Sequence, residues 1–203
     1  MSGALVWLVV ALGIGVVVVR RRTLAVAFVT VQALVLAASA ADSPTGDKVG
    51  AAAVLAARAV ALAALLLFVV SRTREPRPVR AKVAPFARAG LAVGFALTLT
   101  WLVPTIGLAS RNTERGVLAL VAFGIATVAT RHATLFHVLG IVLVENALAL
   151  AALQLRGSGA SLAIEIGVGF DLTLIALVAV VFHERIFAEF GAGDSAALRS
   201  LRD

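Results

Sequence analysis

The stretch ATLFHVLGIVLVENALALAALQL, residues 133–155, decides how this chain is read. It is almost wholly apolar and exceeds the ~20 residues that an α-helix needs to cross a bilayer. Glu145 sits near its centre. A carboxylate at that depth costs about 2.5–3.5 kcal/mol on insertion scales, so its presence needs a reason, and function is the first one to test.

The rest of the composition agrees. Of 203 residues, 61% are hydrophobic and 14% charged, with mean hydropathy +1.04. That leaves too few polar side chains to clothe a water-soluble domain and excludes a disordered one. The expected fold class is therefore all-α: a polytopic membrane protein of about seven transmembrane helices. The candidate spans are 3–19, 23–41, 49–70, 89–109, 114–130, 133–155 and 161–183, the first and fifth being short. The connectors include the Arg20–Arg22 run, the long basic loop 71–88, the Arg-Asn-Thr-Glu-Arg segment 111–115 and the Arg131–His132 corner, which no Gly or Pro marks. The loop 71–88 reads as a topology anchor or a docking site.

Net charge is +7. In a membrane protein such an excess marks cytoplasmic loops rather than a nucleic-acid partner. With the N-terminus outside, thirteen Lys and Arg fall on inner segments and four on outer ones, with Arg58 inside the membrane. This bias predicts an external N-terminus and a cytoplasmic C-terminus. The apolar N-terminus is followed, not preceded, by arginines, the order of a spanning helix rather than a cleaved signal. The expected location is the cell (inner) membrane. The expected organisation is a four-helix segment 1–110, a three-helix segment 111–183 and a loose or amphipathic tail 184–203. The chain has no Cys and only three His, without ligand spacing, so no metal or other cofactor is expected.

Arg58, Glu145 and Asp171 all fall near the middle of their spans, at one level of the bilayer by the 1.5 Å helical rise. Unpaired, the three would cost about 8–10 kcal/mol, so they must face protein, water or one another. Burial and a neighbouring Arg act in opposite directions on a carboxyl group, which suits a proton path. A purely structural ion pair is the alternative. Asn146 offers an interhelical hydrogen bond beside Glu145. Glu165, about 9 Å nearer the outer face than Asp171, is an outer relay or an interfacial acid. His137, about 12 Å on the cytoplasmic side of Glu145, is a proton shuttle or a histidine bonded within the bundle. His183 reads as an interfacial cap. Gly90 with Gly94, and Gly167 with Gly169, are expected to let helices approach closely. Pro104 is expected to break the fourth helix, the freed carbonyls lining a cavity or being satisfied by packing.

The segment Gly140-Ile-Val-Leu-Val-Glu145-Asn146, then Glu165-Ile166-Gly167-x-x-x-Asp171 and an apolar run ending in His183-Glu184-Arg185, resembles component E of the hydrogenase-4 type of membrane-bound hydrogenase. Upstream, Arg22-x-Leu24, Gln32 before Leu34-Val35-Leu36, and Arg58 fall at matching places, so the resemblance covers most of the chain. The last three spans are also similar to the small K-type subunit of respiratory complex I. There two intramembrane glutamates belong to the proton path. Glu145 matches the first, and Asp171 falls near the second, one methylene shorter. The resemblance implies a non-catalytic membrane subunit beside antiporter-like and other membrane-arm subunits, coupled to a cytoplasmic redox arm of hydrogenase or NADH-dehydrogenase type. A structural scaffold of the same assembly and an independent small transporter are the rival expectations.

Overall fold

A computed structural model describes residues 3–41, 48–72, 83–108, 110–131, 133–154 and 185. Apart from the isolated Arg185, the described residues form six helices and their connections, with no strand among them: α1 (Gly3–Val18), α2 (Arg22–Ala41), α3 (Lys48–Arg72), α4 (Pro85–Leu102), α5 (Arg111–Thr130) and α6 (Thr134–Ala152). Five of the six, α2 to α6, are long and apolar enough to cross a membrane, and α1 is a shorter apolar helix. The expected seventh span, 161–183, and the tail 184–203 lie outside the described residues, except for Arg185.

The helices pack an apolar core inward and also leave several large apolar side chains on the outside. Val9, Leu36, Leu120, Phe136, Leu139 and Leu143 are fully buried, whereas Trp7, Phe68, Phe86, Leu97 and Trp101 are exposed. An outer surface of that kind is suited to lipid rather than water. Helix α2 packs between α1 and α3 and also touches α6, while α5 lies against α1, α4 and α6.

Helices α5 and α6 approach each other closely. A Cβ on Gly124 would stand 2.6 Å from the Gly140 carbonyl oxygen, and one on Gly140 would stand 2.7 Å from that of Gly124. Backbone therefore meets backbone at this pair. Sequence reading expected such surfaces at Gly90 and Gly94. Those two face open space, with nothing within 4 Å, because α4 turns Arg88, Ala92 and Ala96 inward instead. Gly167 and Gly169 lie outside the described residues.

Two boundaries differ from expectation. The fourth helix does not run over 89–109. Pro85 starts it, its fixed φ being suited to a first helical position. The helix stops at Leu102, with Val103 extended at φ −85° and ψ 122°, as the residue before a proline prefers. The expected break at Pro104 is thus the end of the helix, and among the described residues no helix resumes before α5. The segment 111–115, expected as a connector, is the first turn of α5. Ser110 caps it, its Oγ accepting from the Thr113 amide at 3.2 Å. One carboxylate oxygen of Glu114 accepts from the amides of Gly107 and Leu108 at 3.0 and 3.2 Å, tying the connector to the helix.

Candidate functional site

The central charges meet. Arg58 on α3 and Glu145 on α6 lie near the middles of their helices, with Nη2 2.8 Å from Oε2. Their side chains are only 9% and 10% exposed. α3 and α6 each pack on α2, and the pair joins them directly. Separating two buried charges would leave each without compensation, so this contact ties the two helices together.

The residue after Glu145 starts a second chain of polar contacts. Asn146 Nδ2 donates to Gln32 Oε1 at 2.8 Å, and Gln32 Nε2 donates to the Val9 carbonyl at 2.8 Å. Asn146 is 2% exposed and Gln32 fully buried. The chain crosses from α6 through α2 to α1. Because Glu145 and Asn146 are neighbours on one helix, the ion pair and the amide chain form one polar layer in an apolar bundle. Paired amides in hydrocarbon satisfy groups that would otherwise cost energy there.

His137 is placed differently. It is half-buried, and its Nδ1 lies 3.2 Å from the carbonyl oxygen of Ala133, on the turn that starts its own helix. Asp171 and Glu165 lie outside the described residues, so the structure joins Arg58, Glu145 and Asn146 of the expected set.

Three structural roles were not foreseen. Gln32 had a signal, a lone amide amid Val, Ala and Leu at mid-span. Its bonding to Val9 and Asn146 depends on helix packing that periodicity does not reveal. Arg88 was expected in a loop, but it lies on the first turn of α4 and is fully buried. Arg131 was expected as a cytoplasmic corner. Its Nη2 instead donates to the carbonyls of Val17 and Val19 at the end of α1, the former at 3.1 Å. Those carbonyls lack helical partners, so a cation there also meets the negative end of the helix dipole. Arg131 further stacks 4.0 Å over the Phe136 ring. The corner between α5 and α6 is thus held by a side-chain anchor, not by a turn residue.

A groove of about 650 Å³ runs between α1, α4 and α5, with Trp7, Leu97, Trp101 and Phe123 on its walls. It does not include Arg58 or Glu145. No protein family, curated protein or solved structure matches the chain.

Proposed function

We propose that this chain is a non-catalytic integral membrane subunit of a redox-driven, proton-translocating assembly of the hydrogenase-4 or complex I kind. In it Glu145 is a protonatable site and Arg58 is its charge partner. The observation that carries this reading is the 2.8 Å contact between the two groups, buried between two apolar helices. An opposite charge beside a carboxylate favours its ionised form, while burial favours its neutral form. Small changes in the distance between α3 and α6 would tip that balance, which is the property a driven proton relay uses. The sequence adds Asp171 and Glu165 as further acids on such a path and His137 as a shuttle. The positive-inside bias supports an external N-terminus and a cytoplasmic C-terminus. Antiporter-like membrane subunits and a cytoplasmic redox arm are the partners this reading requires.

The test is Glu145→Gln in the native membrane. Proton pumping should fall while the assembly still copurifies with the tagged chain. Unchanged pumping in an intact assembly would remove the relay role, and a tagged chain that purifies alone would remove the assembly.

The amide chain from Asn146 through Gln32 to Val9 favours a second reading, in which the whole polar layer only fixes helix packing. In that case Arg58→Met with Glu145→Leu should keep pumping intact, since apolar residues often replace a buried pair without loss of stability.

A further inference from the structure

Arg131 grips the carbonyl of Val19, the residue before Arg20, and Arg88 stands in the first turn of α4, which packs on both α1 and α5. Arg131 is within electrostatic range of both others, and Arg88 is within range of Arg20. Arg88 is fully buried, yet among the described residues its Nε, Nη1 and Nη2 find no hydrogen-bond acceptor. Arg131 uses Nη2 on α1, but its Nε and Nη1 also lack acceptors among the described residues. Five buried donors on two cations are therefore unsatisfied, where buried polar groups are normally paired.

Nothing described nearby neutralises them. Among the described residues the acids are Glu114, which is bound to the connector before α5, and Glu145, which is paired with Arg58 at mid-helix. The helix starts beside these arginines also lack acidic partners. α2, α4 and α6 have no acid in their first turns, and the cap residues Ala84 and Ala133 offer no side-chain bond to α4 and α6. Helix N-termini present unpaired amides and a positive dipole end, so they add to the attraction for an anion. Burial, with Arg88 and Arg20 adding repulsion, lowers the Arg131 guanidinium to about 10, which still leaves it cationic at neutral pH.

We propose that Arg20, Arg88 and Arg131 form a binding site for a phosphate-type anion, one that clamps the α1–α2 turn, the start of α4 and the α5–α6 corner together. Planar guanidinium forks suit tetrahedral phosphate oxygens through paired N–H bonds. Arg20, at the edge of the cluster, is exposed to the surface. An anion held there satisfies the idle donors as the long stem of Arg88 turns towards it. The phosphodiester of an anionic lipid headgroup and free phosphate share this chemistry.

The purified full chain in neutral detergent is the starting point. Its unfolding temperature is measured alone, with inorganic phosphate, with phosphatidylglycerol, and with phosphatidylcholine at the same mole ratio. Phosphatidylglycerol near saturation should raise the midpoint by about 5–10 °C, and phosphatidylcholine should not. An equal rise with inorganic phosphate would support the same site with a soluble ligand. The variant Arg88→Met should melt no lower than the parent without anion, since it loses no acceptor, and should lose at least half of the rise. Arg20→Gln, at an exposed position that does not threaten folding, should weaken the rise as well. Arg111→Gln, at the start of α5, should leave it unchanged. No rise with any anion, or a rise that is undiminished in both Arg88→Met and Arg20→Gln, would overturn the proposal. So would a rise lost equally in Arg111→Gln, which would mark a general charge effect.

Discussion

Replacing Arg58 by Met and Glu145 by Leu, singly and together, should give strongly non-additive changes in stability. At a charge separation of about 3–4 Å and an effective dielectric of about 20, their attraction is about 4–6 kcal/mol. The two groups are about nine-tenths buried. Desolvation of two such ions costs several kcal/mol each, so the net worth of the pair is small even though its members depend on each other. Glu145→Leu alone strands the Arg58 cation between helices and should destabilise by about 3–5 kcal/mol. Arg58→Met alone strands the carboxylate. That variant should lose less wherever the carboxyl can take up a proton and become neutral. The double variant removes both charges and should return to within about 1–2 kcal/mol of the parent. The assay is unfolding in mixed micelles with a rising fraction of denaturing detergent, followed by far-ultraviolet circular dichroism. Energies that simply add to within about 0.5 kcal/mol would refute the pairing, because independent sites behave that way.

Two further outcomes follow from the packing. Gly124→Ala should cost about 1–3 kcal/mol, since its new methyl meets the Gly140 carbonyl at 2.6 Å, whereas Gly90→Ala, facing open space, should gain about 0.5–1 kcal/mol; thermal melts of the two variants check the contrast. Gln32→Leu should cost about 1–2 kcal/mol by leaving the Asn146 amide unpaired, and adding Asn146→Leu should recover part of that loss in the same unfolding assay.

Much of the fold could be read along the chain because each span announces itself locally. A run of about 20 apolar residues means a helix wherever it occurs, since hydrocarbon offers no partner for a free amide. That rule is enough to recognise α2, α3, α5 and α6 within a few residues. It failed at the ends of α4 because hydropathy weighs side chains and not backbone geometry. Arg88 looked like a loop residue, although Pro85 had already begun the helix. Residues 103–109 looked like span, although Pro104 holds Val103 extended.

The site divides along the same line. The sequence alone singled out Arg58, Glu145 and Asn146, because an ionisable or amide group in an apolar run is costly wherever the run is placed. It also put Arg58 and Glu145 at one depth, which needs only the helical rise. Tertiary structure alone decided who meets whom. Glu145 faces Arg58 because α3 and α6 share α2 as a neighbour, and Asn146 meets Gln32 because α6 leans on α2. The glycine pair at 124 and 140, the Arg131 anchor on α1 and the unpaired Arg88 belong to that second class. Helical periodicity tells which residues share a face. Which face looks towards which helix is settled by close packing of the whole bundle, and no single span carries that information.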